Sequence, residues 1–290
     1  MKQFIKYALP GLFLMSIIVA CEKEYDTIEV IDDRNIAAYI QANKLNMVEY
    51  QNSGIYYEVI NPGTGEDVQY SDQLPLIFTI KSLDGQYSAL DTFNVSNRYY
   101  NFLGYFNPEG VRIGIKEVLK KKSGTIRMII PSRSAFGRNG VGTIPGNASL
   151  DLTVKVLDKS KLPAYEDFTI QKYMAANSLT GFTKTASGLY YKIDAPGTGS
   201  PIALDSTIKA EYEGKLLNGT VFDKTSPGSP ATFLLSTVVK GWQEAIPLIK
   251  EGGTIRMILP SPLAYGLEGN TGIPAFSALF FNVKITEVTK

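Results

Sequence analysis

The chain of 290 residues predicts an α+β fold built twice from one unit, each copy an antiparallel sheet wrapped around a short helix. Three observations carry that prediction. The chain repeats itself once, its apolar residues alternate with period two over several runs, and tight turns fall at matching places in the two copies. Ser53-Gly54-Ile55-Tyr56-Tyr57 returns as Ser187-Gly188-Leu189-Tyr190-Tyr191, and Pro62-Gly63-Thr64-Gly65 as Pro196-Gly197-Thr198-Gly199, both at an offset of 134. Gly124-Thr125-Ile126-Arg127-Met128-Ile129-Ile130-Pro131-Ser132 returns as Gly253-Thr254-Ile255-Arg256-Met257-Ile258-Leu259-Pro260-Ser261 at 129. The first copy therefore holds five more residues between Gly65 and Gly124.

Each copy opens with a helix. Ile36, Tyr39, Ile40 and Asn43 share one face, with Asp32 or Asp33 to cap it; Ile170, Tyr173, Met174 and Asn177 do the same behind Asp167. Strands follow, alternating at Leu74, Leu76 and Phe78 and at Ile208, Ala210 and Tyr212. Asp84-Gly85 and Asn218-Gly219 favour tight hairpins, because both residue types tolerate positive φ. A short helix next presents Trp242, Ala245, Ile246 and Ile249, and Pro247 should end or bend it near Ile246. Its counterpart presents Ile115, Val118 and Leu119. Alternating runs close both copies: Leu150, Leu152, Val154, Val156, and Leu279, Phe281, Val283, Ile285. The expected division is residues 1–20 as a leader, 21–31 as an acidic tether, 32–158 as the first copy, 159–165 as a polar linker ending in proline, and 166–290 as the second copy.

Composition narrows the chemistry. There is no histidine, which excludes Ser-His and Cys-His catalysis and disfavours zinc. No cofactor or metal is expected. Charge is balanced, 29 basic against 28 acidic residues, so no nucleic-acid partner is implied. Lys2 and Lys6 precede an apolar run from Tyr7 to Ala20, too short to span a bilayer. The run ends Ser16-Ile17-Ile18-Val19-Ala20-Cys21, and Cys21 is the chain's one cysteine. This resembles a bacterial lipobox and implies a lipid on Cys21 that holds the protein at a membrane of the cell envelope, in the periplasm or at the surface. A cleaved secretory signal with an incidental cysteine is the other reading.

Five motifs stand in order over about 80 residues of the second copy: Tyr212-Glu213-Gly214-Lys215-Leu216, Gly219-Thr220-Val221-Phe222-Asp223, Val238-Val239-Lys240-Gly241-Trp242, Ala264-Tyr265-Gly266 after Pro260, and Ile273-Pro274 before Leu279-Phe280-Phe281. Each is weak alone. Together they resemble the FKBP-type peptidyl-prolyl cis-trans isomerases. The resemblance implies two tandem FKBP-like units, with a five- or six-stranded sheet in the second. Tyr212, Phe222, Phe233, Val238, Val239, Trp242 and Phe281 would wall a proline pocket, with Trp242 as floor. It also implies Asp223 at the rim, and the Tyr265 hydroxyl and Ile273 N–H bonding substrate carbonyls. The substrates would be proline-containing polypeptides; macrolide binding is also implied, though residues 267–271 could block the rim. Ordinary core packing is the alternative for each aromatic.

The first copy departs from this pattern. Phe78 stands for Tyr212, Ile115 for Trp242, Phe136 for Tyr265 and Leu152 for Phe281, and Leu90-Asp91 matches Phe222-Asp223 only after a two-residue shift. The expectation is the same fold with little or no isomerase activity. For the whole chain the alternatives are a peptide-holding chaperone without turnover and a structural envelope lipoprotein.

Overall fold

The computed structural model describes residues 26–89 and 97–289. The leader, Cys21 and Leu90-Asp91 lie outside them. Two seven-stranded antiparallel sheets follow one another along the chain. The first comprises β1 (Val48–Glu49), β2 (Tyr56–Asn61), β3 (Gln73–Ser82), β4 (Ser88–Ala89), β5 (Arg98–Phe102), β6 (Thr125–Ile130) and β7 (Leu150–Val156), in the order β1-β2-β6-β7-β3-β4 with β5 also on β3. The second comprises β8 (Thr183–Lys184), β9 (Tyr190–Ala195), β10 (Thr207–Leu216), β11 (Val221–Lys224), β12 (Ala231–Leu234), β13 (Thr254–Leu259) and β14 (Leu279–Thr289). Its order is β11-β10-β14-β13-β9-β8, with β12 on β10. Two-residue strands such as β8 take the count past the five or six expected.

Helix α1 (Ile28–Ala42) opens the first unit and α3 (Leu162–Ala176) the second. Both start earlier than their aspartates suggested. Thr27 caps α1, and α3 begins inside the expected linker, with Pro163 in its first turn where a missing N–H costs nothing. Asp167 instead accepts from the Tyr190 hydroxyl at 2.8 Å and pairs with Lys184 at 2.6 Å, while Asp32 and the neighbouring Glu166 turn inward. Asp32 accepts from Ser132 Oγ and Ser149 Oγ at 2.9 and 2.8 Å, and Glu166 accepts from the Ser261 N–H and hydroxyl, both at 2.6 Å. Each acid thus fixes the turn that follows the Pro-Ser of its own unit. Asn43 and Asn177 are exposed, and their amides bond back to the Tyr39 and Tyr173 carbonyls.

Period two sorts the residues of β14 to the two faces of the sheet. Leu279, Phe281, Val283 and Ile285 meet α4 (Lys240–Ala245), while Phe280 meets Tyr173 and Ile170 of α3 on the other face. Pro247 ends α4 as expected, leaving a 3₁₀ turn over Ile246–Leu248. Both predicted hairpin glycines take the left-handed conformation, at φ +76° for Gly85 and +90° for Gly219. The two units touch through Ile77 and Leu157 of the first, and Leu162, Ala275 and Phe276 of the second.

Candidate functional site

Five elements of the second unit converge on one cavity of about 210 Å³. Strand β10 supplies Tyr212, β11 Phe222 and Asp223, β12 Phe233, α4 Trp242, and β14 Phe281; Thr237, Val238 and Val239 form the lip before α4, and Tyr265 reaches in from the loop after β13. Trp242 is 3% exposed and sits among three rings, edge to face. Its centroid lies 5.3 Å from Tyr212, 5.7 Å from Phe233 and 5.5 Å from Phe281. Phe222 stands edge-on to Phe281 at 5.7 Å. Edges facing faces satisfy the ring quadrupoles and leave a pocket with a dry wall.

The polar groups sit at the mouth. Tyr212 Oη donates to Asp223 Oδ2 at 2.5 Å. Burial, then that bond to a carboxylate, holds the Tyr212 hydroxyl protonated far into the alkaline range. Burial, and then Asp223, likewise raise Tyr265 above the ordinary tyrosine value. Tyr265 is 37% exposed. The Trp242 indole N–H is buried and has no acceptor among the described residues.

Nine of the ten expected pocket residues line this cavity. Ile273 does not. It is buried in the core beside the cup, and its N–H already donates to the Asn270 carbonyl at 2.8 Å, closing a tight turn with the reciprocal Asn270 bond. Pairing within a four-residue turn cannot be seen from an Ile-Pro dipeptide. The lip offers another donor, the Val239 N–H, which has no acceptor among the described residues.

Two positioning residues carried no expectation. Gly214 faces the rings: a Cβ there would come within 2.6 Å of Phe222 and 2.7 Å of Phe281. Gln243 holds the lip, its amide donating to the carbonyls of Ser236 and Val238 at 3.1 and 2.7 Å. The glycine was visible within Tyr-Glu-Gly-Lys-Leu, but the rings opposite it were not.

The first unit shows how the same frame closes. The residue at the Trp242 position is Val111, not Ile115. Gly110 and Gly241 both lie under the last residue of their central strand, Ile130 and Leu259, and Val111 N and Trp242 N bond to Pro108 and Val239 in the same way. A π-helical turn over Gly114–Leu119, following α2 (Glu109–Ile113), then absorbs extra residues and restores register. Ile80 occupies the Gly214 position, opposite Leu152 in the sheet. Phe106 takes the place of Val238 on the lip, and its 4%-exposed ring packs edge-on against Phe78 at 5.7 Å and Tyr99 at 4.6 Å. The chain's own ring fills the cup.

Residues 199–286 match the family model described as FKBP-type peptidyl-prolyl cis-trans isomerase. The chain is similar to the FKBP-type peptidyl-prolyl cis-trans isomerase FkpA of Buchnera aphidicola, 39% identical over 113 residues, covering 39% of this chain and 47% of that protein. It is also similar to the peptidyl-prolyl cis-trans isomerase Mip of Coxiella burnetii, 42% identical over 121 residues, covering 41% of this chain and 53% of that one. The chain thus spans about half the length of these relatives. The crystal structure of FkpA from Escherichia coli superimposes with a TM-score of 0.40 at 32% identity, covering 45% of this chain and 62% of that one. The likeness to the FKBP-type peptidyl-prolyl cis-trans isomerases thus falls on the C-terminal unit, over the residues that build the cup.

Proposed function

We propose that the C-terminal unit catalyses cis-trans isomerisation of X–Pro bonds in polypeptides, and that the aromatic cup around Trp242 is the site. The observation that carries this is the cup itself: four rings around a cavity of about 210 Å³, with hydroxyl and carboxylate groups at the mouth. Rotation about the bond breaks amide resonance against a barrier of about 18–20 kcal/mol. The twisted amide is less dipolar than the planar one, so a dry wall favours it relative to water. That is differential binding of the transition state and needs no nucleophile. Asp223 at the rim faces the twisting amide. The Tyr265 hydroxyl holds one substrate carbonyl, and the Val239 N–H replaces Ile273 as the backbone donor for another.

The first unit has no such role in this reading. Phe106 occupies its cup, which argues against both turnover and the holding of a prolyl ring there. The leader ending at Cys21 supports tethering of the protein to an envelope membrane by a lipid. No helix among the described residues is long and apolar enough to cross a bilayer. One relative is named outer membrane protein MIP, of Legionella longbeachae. Clients would then be proline-containing polypeptides of the envelope.

The test is a protease-coupled assay of the full chain on a proline tetrapeptide. Trp242→Ala should lower kcat/KM at least tenfold, the loss of about 1.4 kcal/mol of differential stabilisation. Wild-type activity no greater than the uncatalysed rate would refute the proposal.

A further inference from the structure

The loop after β13 leaves its own unit and is held by the other. It begins at Ser261, passes Tyr265 at the mouth of the cup, and ends at Phe276 just before β14. Its internal bonds are local except for one: Ala264 N and Gly266 N to the Ser261 carbonyl, the Asn270–Ile273 pair, Thr271 N to Asn270 Oδ1, and a 3.3 Å bond from Phe276 N to Leu267. Phe276 is completely buried, among Ile77, Leu157, Leu162 and Tyr100 rather than within the cup-side core. Arg98 of β5 donates to the Phe276 carbonyl, and its guanidinium lies 5.1 Å from the ring centroid.

The backbone adds a second observation. Phe276 sits at φ +37°, in the left-handed region that a bulky side chain avoids. The matching residue of the first unit is Asn147, at φ +58° and exposed, which is the ordinary choice for that conformation. A phenylalanine at this corner is costly locally and is offset by burial in the neighbouring unit. The other end of the loop is fixed within its own unit, where Glu166 accepts from the Ser261 N–H and hydroxyl.

We propose that the N-terminal unit positions the catalytic loop of the C-terminal unit, with Arg98 as the positioning residue that holds the Phe276 end of the segment carrying Tyr265. The first copy has lost its own cup and kept a surface that fixes the cup of the second. This inference rests on the reading of the cup given above.

The experiment uses the full chain as wild type, Arg98→Met, Arg98→Lys and Phe276→Asn. The last restores the first-copy residue and relieves the strained corner, so it should fold. Tetrapeptide kinetics and amide hydrogen exchange over residues 264–277 are measured together, with thermal unfolding as the control for global stability. Arg98→Met and Phe276→Asn should each lower kcat/KM about tenfold, the scale expected when a substrate-holding group is displaced. Loop exchange should quicken by a similar factor while exchange in β13 and β14 stays as in wild type. Arg98→Lys should recover part of the activity. Wild-type kinetics and wild-type loop exchange in both Arg98→Met and Phe276→Asn would overturn the proposal. A wild type without isomerase activity whose loop still loosens in both variants would uphold the positioning and refute the isomerase reading instead.

Discussion

At the scale of single residues the cup is a matter of what is absent as much as of what is present. Gly214 leaves room for Phe222 and Phe281, and the first unit spends that room on Ile80. Gly214→Val should therefore push both rings into the cavity, lowering kcat/KM on a tetrapeptide by ten- to a hundredfold. Circular dichroism should show the same secondary structure, because the strand tolerates valine. A different residue governs acid stability. Asp151 is 4% exposed and accepts from Arg127 at 3.0 and 2.7 Å and from the Tyr39 hydroxyl at 2.8 Å. Burial pushes its carboxyl upward, but the bonds from Arg127 and Tyr39, with Lys81 beside them, outweigh burial and hold it below the usual aspartate value. The ionised form is thus favoured in the folded state. Its stabilisation is complete above the unfolded aspartate value near 3.9 and is lost as pH falls through the lower folded value. Asp151→Asn should cost about 3 kcal/mol at neutral pH and flatten the loss of stability below pH 4, as read by urea melts across pH. In the second unit Phe280 occupies this position against Tyr173, so the equivalent contact there is apolar and insensitive to pH.

At the scale of elements, much was legible and the failures have physical causes. The strands announced themselves by alternation, the hairpins by Asp-Gly and Asn-Gly, and the break after α4 by Pro247. The helix starts were misplaced because an aspartate near a helix start has more than one use: it caps, or it turns inward to pin a serine. Asp32 does the second, while Asp167 instead accepts from the Tyr190 hydroxyl and pairs with Lys184, and nothing local distinguishes these uses from capping. The counterpart of Trp242 was misread as Ile115 because apolar periodicity cannot locate a π-helical turn, which shifts the phase of the helix. Motif order brought nine of the expected residues, six of them aromatic, to one cavity, whereas the place of Ile273 depended on a turn bond between neighbours. One prediction belongs here. Gln243 pins the lip through two carbonyls, so Gln243→Leu should raise KM several-fold with little change in kcat, since the Trp242 floor is untouched.

At the scale of the molecule the two units have divided one ancestral design. One keeps an aromatic cup open to the surface and the other fills it with Phe106. Phe106→Ala should destabilise the first unit by about 3–5 kcal/mol in chemical melts, the usual result of emptying a buried aromatic site. It should not create an isomerase. In a chain also carrying Trp242→Ala, tetrapeptide turnover should stay at the level of Trp242→Ala alone, because Val111 and Ile80 leave neither floor nor room. Renewed turnover in that double variant would show that the plug alone silences the first copy.

The near-identity of β6 and β13 carries a further cost outside the native state. Met128 meets Leu152 and Met257 meets Phe281 across equivalent ladder positions, in strands of almost the same sequence. A fully denatured chain therefore offers β7 and β14 two interchangeable neighbours apiece, and nothing in the pattern of either strand rejects the wrong one. Refolding from urea must sort these crossed pairings, and synthesis from the N-terminus, which completes one sheet before the other strand exists, avoids the choice altogether.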